Sequence, residues 1–165
     1  YDEKQDVVRV KAKPETAATS EEWMEFEFEN LTPNGADLTL KWEKLRVAVP
    51  IQVDTNAKVL AAGREAAKKA ETDAWQVPLR VGGFVLDSKG DLNEALAMAE
   101  KSIKARETFQ GFSLKARILA EQGKKADAIA TADKALKVAA TQEPKPNEEV
   151  VKAFEKTAAE WKAKK

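Results

Sequence analysis

The chain has 165 residues and 43% hydrophobic residues, enough for one domain or for two small domains that share a core. Lys plus Arg and Asp plus Glu number 28 each, so the formal net charge of +0 argues against bulk attraction to nucleic acid or an anionic membrane. The sequence contains no Cys and no His, which excludes disulfides, Ser-His-Asp and Cys-His catalysis and most zinc sites within this chain.

The first 53 residues contain three segments in which apolar and charged side chains alternate, the pattern of half-buried β-strands. These segments are residues 8–12, 24–28 and 38–53. The apolar parity reverses near residues 43–45, so a bulge or bend is expected there. Residues 32–36 (TPNGA) are expected to form a turn in which Gly35 adopts a positive φ. We therefore predict about three strands with one apolar face, which needs a cover from the helices or from strands outside this chain.

From residue 54 onward the apolar period becomes that of amphipathic helices, and about six helices are expected through residue 165. The expected starts are Asp54 or Thr55, Thr72 or Asp73, Asp91, Phe109, Lys125 and Asn147. Pro78 fits only the first turns of the second helix, because an interior proline would break it.

Two stretches in this helical region repeat with a period of 33 residues, GDLNEALAMAEKSI from Gly90 and GKKADAIATADKAL from Gly123. Small residues keep this spacing at Gly83/Ala116, Gly90/Gly123, Ala95/Ala128 and Ser102/Ala135. The pattern predicts two stacked helical hairpins and resembles tetratricopeptide repeats, although the period is one residue short and the inter-repeat Pro is absent. Two units are fewer than the usual three, so the flanking helices are expected to complete the core.

A second resemblance covers almost the whole chain. The segments DVVRVKAKP, MEFEFEN and LTLKWEKLRVAVPIQV, followed by the paired helices, resemble the C-terminal part of a bacterial domain-of-unknown-function family (number two-nine-one-one). The resemblance implies an exported or periplasmic α+β protein, in which residues 1–53 are the C-terminal part of a β-sandwich and residues 54–165 form tetratricopeptide-like helices. It also implies that earlier strands of the sandwich are missing, although the chain contains no signal segment. The family has no established activity.

The inner face of the predicted hairpins is the expected binding surface. Repeat positions place five residues near it: Arg80, Phe84, Asp87, Arg117 and Glu121. An exposed aromatic ring between two arginines suits a peptide carboxylate or an acidic segment. Alternatively, the β-layer packs on this face, with Phe84 in the core and the arginines at its rim.

A row of carboxylates is expected on the second strand, at Glu25, Glu27 and Glu29. The row suits a cation or a sugar, but cross-strand pairing is the favoured interpretation. The expected basic partners are Arg9, Lys11, Lys13 and Lys41. No calcium-loop spacing is present, and we predict neither a metal nor a cofactor.

These observations favour a non-enzymatic protein-interaction or scaffold module of the bacterial envelope. The expected partner is a protein or peptide, not nucleic acid, and no membrane-spanning segment is expected. One alternative is a supporting part of a ligand-binding or enzymatic protein, with its site on the missing N-terminal strands. Another is that the helices only cover the β-layer.

Overall fold

The computed structural model describes residues 1–71 and 73–163, and over these residues it shows a two-stranded antiparallel sheet followed by six helices. The predicted α+β class is confirmed. The chain divides into two compact units, Tyr1–Thr55 and Asn56–Lys165, here called the β unit and the helical unit. Of the two N-caps predicted for the second helix, Thr72 lies outside the described residues, and Asp73 is wrong because that helix begins at Gln76, after Trp75.

The β unit consists of β1 (Glu15–Thr32) and β2 (Gly35–Gln52), joined by a tight turn. Phe26 pairs with Leu40 and Phe28 with Leu38, so the apolar residues of both strands share one face. The turn predicted at residues 32–36 is confirmed, but the expected positive φ of Gly35 is wrong. Glycine is required there for another reason, because a Cβ atom would lie only 2.6 Å from the Ile51 carbonyl oxygen.

That contact shows that β2 reverses direction near its middle. A straight strand of this length would separate its ends by about 56 Å, yet Gly35 meets Ile51 and the Val53 N–H donates to the Asn34 carbonyl over 2.8 Å. Glu43, halfway between the ends, has a φ of 51°, and the register with β1 shifts beside it. The bend predicted from the parity reversal is therefore confirmed.

The strand expected at residues 8–12 is absent, so the described chain has two strands and not three. Val8 and Val10 are exposed instead of covering a sheet. The Arg9 guanidinium pairs locally with Glu3 (2.9 Å) and Asp6 (2.6 Å). An alternating segment becomes a strand only where a free strand edge satisfies its backbone groups, and this segment does not pair with β1 or β2.

The six helices follow the expected order. They are α1 (Thr55–Lys69), α2 (Gln76–Asp87), α3 (Leu92–Ala105), α4 (Phe109–Glu121), α5 (Lys125–Thr141) and α6 (Glu148–Ala163). The N-caps predicted at Asp91 and Asn147 are confirmed, since their side chains accept N–H groups of the first helical turns. Pro78 is buried in the first turn of α2, where no helical hydrogen bond is lost.

The 33-residue period is a structural repeat of two helical hairpins, α2–α3 and α4–α5. Gln76 and Phe109 begin the first helix of each hairpin, and Leu92 and Lys125 begin the second, so both starts differ by 33 residues (109 − 76 and 125 − 92). Equivalent alanines, such as Ala95 and Ala128, are fully buried, which lets the helices approach closely.

Two apolar clusters form the core of the helical unit. The first cluster contains side chains from all four helices α1, α2, α3 and α4, and it includes Ala67, Val85 and Ile118. The second cluster contains side chains from α4, α5 and α6, and it includes Phe109 and Phe154. The expectation that the flanking helices complete the core is confirmed, because α1 and α6 each contribute buried side chains to these clusters.

The glycine predicted to allow close approach of the helices is wrong by one residue. Gly83 was expected to be the small residue of close approach, equivalent to Ala116, but a Cβ atom on Gly83 would meet nothing within 4 Å. The close approach occurs at Gly82, whose Cβ would lie 3.1 Å from the Ala95 carbonyl oxygen and from Met98 Cβ. Adjacent residues lie about 100° apart around a helix, so the face of α2 that makes the close approach differs by one residue from the face that the repeat spacing indicates.

Candidate functional site

The five residues of the expected binding surface lie on two neighbouring helices. Arg80, Phe84 and Asp87 are on α2, at spacings that place them on one helical face, and Arg117 and Glu121 share a face of α4. The two helices contribute to the same apolar cluster. The ion pair between Arg117 and Asp87 joins the two faces at the C-terminal end of α2.

Three of the five residues line a groove of about 640 Å³, here called the α2–α4–α6 groove: Asp87, Arg117 and Glu121. The C-terminal ends of α2 and α4 form part of it, together with the turn that follows α2. Further lining side chains are Lys89 from that turn and Phe154, Thr157 and Trp161 from α6. The groove therefore depends on α6, which lies outside the repeat.

The rim of this groove carries charges of both signs above aromatic side chains. Arg117 Nη2 lies 3.1 Å from Asp87 Oδ1, and both side chains are largely exposed. The Phe154 ring meets Trp161 edge-to-face, with 6.1 Å between centroids. An aromatic floor with a charged rim can bind apolar and polar side chains of a peptide, as protein interfaces do.

Arg80 and Phe84 line a different cavity of about 220 Å³, here called the α1–α2 pocket. Its other lining residues are Val59, Leu60 and Gly63 of α1 and Val81 of α2. Phe84 is half-buried, not exposed. The structure thus distributes the five residues over two cavities, and the two arginines line different ones.

The residues that sequence reasoning missed come from the flanking helices. The repeat alignment covers only residues inside the two 33-residue units, so Val59 of α1 and Trp161 of α6 were not assigned to a surface. The apolar stripe of α6, in which Phe154, Ala158 and Trp161 follow one another at helical spacing, was the available signal. It indicates packing against a neighbouring helix, but not a groove beside it.

Two carboxylates of the row on β1, Glu27 and Glu29, form cross-strand ion pairs with Lys41, as the favoured interpretation predicted. The other three predicted partners are wrong, because Arg9 pairs with Glu3 and Asp6, and Lys11 and Lys13 form no ion pair with the row in the described part of the chain. Lys41 Nζ lies 2.8 Å from both Glu27 and Glu29, and Arg46 Nη2 lies 2.7 Å from Glu29. Hydrogen bonds from Lys41 and then Arg46 lower the pKa of Glu29 from 4.5 to about 2. Within the described residues, no three acidic side chains are grouped so that they could hold a metal ion.

The opposite face of the β unit is apolar and open. Phe26 is 65% exposed and Phe28 is 61% exposed, and Met24 and Trp42 are also exposed. A contiguous apolar surface of this kind usually marks a site that another protein segment covers. The β unit therefore has the uncovered apolar face that the alternating sequence pattern predicts.

No helix in the described part of the chain is long and apolar enough to cross a membrane.

Comparisons with known proteins give a match for the β unit and none for the helical unit. No curated protein and no solved structure matches the chain. Residues 1–51 match the model of a family described as "Protein of unknown function (DUF2911)", and the helical unit lies outside that match.

Proposed function

We propose that the helical unit is a non-enzymatic protein-interaction module that binds a peptide segment of its partner in the α2–α4–α6 groove. The observation that carries the proposal is the groove itself. Its volume of about 640 Å³ lies inside the range of roughly 300–1,000 Å³ typical of ligand sites. Its aromatic floor at Phe154 and Trp161, beside charges of both signs, resembles a protein interface more than a catalytic site.

The helical architecture supports the same proposal. Two hairpins at a 33-residue spacing, completed by α1 and α6, resemble a short tetratricopeptide-like array, and such arrays present extended faces for binding. We also propose that this module lies in the bacterial envelope, a compartment that the resemblance noted from the sequence implies. A scaffold role in that compartment requires no chemistry from the chain.

The test is a selection of random peptides against the purified full chain, followed by charge reversals at the groove. Peptides that bind the wild-type chain should lose most of their affinity for Arg117→Glu and for Glu121→Lys. Because both residues lie at an exposed rim, neither variant should shift the thermal midpoint by more than a few degrees. Lys137→Glu, at an exposed position of α5 outside the groove, is the matched control. Equal binding to all three variants would show that the peptides bind elsewhere.

The open apolar face of the β unit favours a second candidate function. In that case the chain supports a ligand-binding or enzymatic protein, and strands that precede this sequence cover Phe26 and Phe28 and carry the site. Adding the preceding strands of the natural protein should then protect the amide hydrogens of β1 and β2 from exchange, and a small ligand should bind only to the longer protein. Unchanged exchange of these amides in the longer protein would argue against this candidate.

A further inference from the structure

The α1–α2 pocket has the size of one amino-acid side chain. Its volume of about 220 Å³ is below the roughly 300–1,000 Å³ of sites that enclose a whole small molecule. Val59 and Leu60 of α1 and Val81 of α2 make its lining mainly apolar. Such a pocket favours a single aliphatic or aromatic group.

The two helices around this pocket approach each other closely at Gly63. A Cβ atom on Gly63 of α1 would lie 3.1 Å from Val81 Cγ2 of α2, so the glycine permits this approach. Val81 and the neighbouring Ala67 belong to the buried cluster of the helical unit. All the residues that line the pocket belong to α1 and α2, so its lining contains no loop residue.

Arg80 is the charged residue of this pocket, and its side chain differs from the other arginines of the chain. Within residues 1–71 and 73–163, Arg9, Arg46, Arg64 and Arg117 pair with carboxylates, and Arg106 donates to the Glu143 carbonyl oxygen. Arg80 has no hydrogen bond or ion pair to any of these described residues. An exposed guanidinium without a partner among the described residues, beside an apolar pocket, is complementary to a ligand with one carboxylate next to an apolar group.

We propose that the α1–α2 pocket is an anchor subsite for the C-terminal residue of a peptide. An apolar side chain of Leu or Phe size fills the pocket, and the terminal carboxylate pairs with the Arg80 guanidinium. The last residue of a peptide carries both groups on one Cα atom, which matches an arginine in the lining of the pocket itself. A fatty acid has one carboxylate too, but a long acyl chain exceeds a pocket of this volume.

This proposal rests on the proposed peptide-binding function and names the end of the peptide that is recognised. The probes are fluorescently labelled hexapeptides that end in Leu or Phe, each made with a free C-terminal carboxylate and with a C-terminal amide. Fluorescence polarisation with the full chain should show roughly ten-fold weaker binding of the amide form, because the charge-assisted hydrogen bonds to Arg80 are lost.

Two variants of the pocket test the named residues. Arg80→Gln should weaken the free-carboxylate probe about ten-fold and abolish its advantage over the amide. Val59→Trp, at an exposed position of the lining, should fill the pocket and weaken both probes about ten- to a hundred-fold, the value of burying one large apolar side chain. Lys58→Gln is the matched control, since it removes one positive charge from α1 at an exposed position outside the pocket lining.

The outcomes of these experiments distinguish the anchor subsite from the proposed peptide-binding function of the helical unit. Peptides that depend on Arg117 and Glu121 but are indifferent to amidation and to Arg80→Gln would overturn the anchor subsite and leave the interaction module intact. Displacement of the probe by octanoate as effectively as by unlabelled peptide would also overturn it, because the pocket would then recognise a simple carboxylic acid. Failure of every peptide to bind would overturn both proposals.

Discussion

Arg117 on α4 donates a hydrogen bond from Nη2 to Asp87 Oδ1 on α2 over 3.1 Å. The pair joins two helices at the rim of the α2–α4–α6 groove. The Arg117 side chain is 48% exposed and that of Asp87 is 68% exposed, so water competes for both groups. Such a pair contributes about 0–1 kcal/mol to stability. Its main consequence is therefore local, because it reduces the free charge that Arg117 presents to a ligand.

The first prediction follows from this exposure. A double-mutant cycle with Asp87→Asn and Arg117→Gln, measured by urea denaturation, should give a coupling free energy below about 1 kcal/mol. The comparison pair is Arg64 and Glu94, which is bidentate, with distances of 2.6 and 2.7 Å, and whose carboxylate is only 20% exposed. The coupling free energy of that pair should be the larger of the two. A reversed order would show that the Asp87–Arg117 pair is a structural link.

The second prediction concerns the two adjacent glycines of α2. Gly82→Ala should destabilise the helical unit by about 1–3 kcal/mol, because the new methyl group would meet the Ala95 carbonyl oxygen, Met98 and Leu114 at 3.1–3.3 Å. Gly83→Ala is the matched control and should stabilise the unit by about 0.5–1 kcal/mol, since nothing lies within 4 Å and alanine favours a helix. The measurement is the urea midpoint followed by circular dichroism at 222 nm. Equal effects at both positions would contradict the packing assignment.

The third prediction concerns a hydrogen bond that distinguishes the two hairpins. The buried Ser102 hydroxyl donates to the Trp75 carbonyl oxygen over 2.8 Å, whereas the equivalent position of the second hairpin is Ala135. Ser102→Ala should cost about 0.5–1.5 kcal/mol, because the Trp75 carbonyl at the start of α2 loses the shorter of its two hydrogen bonds and keeps the one from the Leu79 N–H over 3.3 Å. Ser113→Ala is the control, since its hydroxyl donates to the Gln110 carbonyl oxygen in the same helical turn. A cost below that of the control would show that water replaces the lost hydroxyl.

The features that were predicted correctly depend on local periodicity. The helix start at Leu92 follows from its capping residue Asp91, and the start at Lys125 follows from the apolar spacing, both of which are properties of a short stretch of chain. The bend in β2 near Glu43 follows in the same way from a reversal of parity. Local signals of this kind are readable from one sequence because the residues concerned need no distant partner.

The features that were missed depend on distant partners. The segment at residues 8–12 does not pair with β1 or β2, and an alternating pattern does not show whether a partner strand will be reached. Arg80 and Arg117 were expected beside one aromatic ring, but each cavity is completed by a different flanking helix, α1 in one case and α6 in the other. The repeat spacing carries no information about those helices. It therefore identified side chains of both cavities without showing that there are two.

The last prediction concerns the pH dependence of the β unit. Hydrogen bonds from Lys41, Arg46 and Thr39 lower the pKa of Glu29 from 4.5 to about 2 in the folded chain. The ionised form is therefore favoured by folding, and this stabilisation is complete above about pH 4.5 and is lost as the pH falls towards 2. Carbon-detected NMR of the Glu29 carboxyl group should show a titration midpoint near 2.

Variants of the same network give that measurement its control. Lys41→Met removes the hydrogen bond that contributes most, so the pKa of Glu29 should rise towards 4.5. Glu29→Gln should reduce the loss of amide-exchange protection in β1 and β2 between pH 5 and pH 2, because the titrating group is gone. Glu22→Gln, at an exposed position of the same strand, should leave that loss unchanged. A midpoint for Glu29 near 4.5 in the wild-type chain would mean that Lys41 and Arg46 do not hold the carboxylate in solution, and the carboxylate row would then be free to bind a cation.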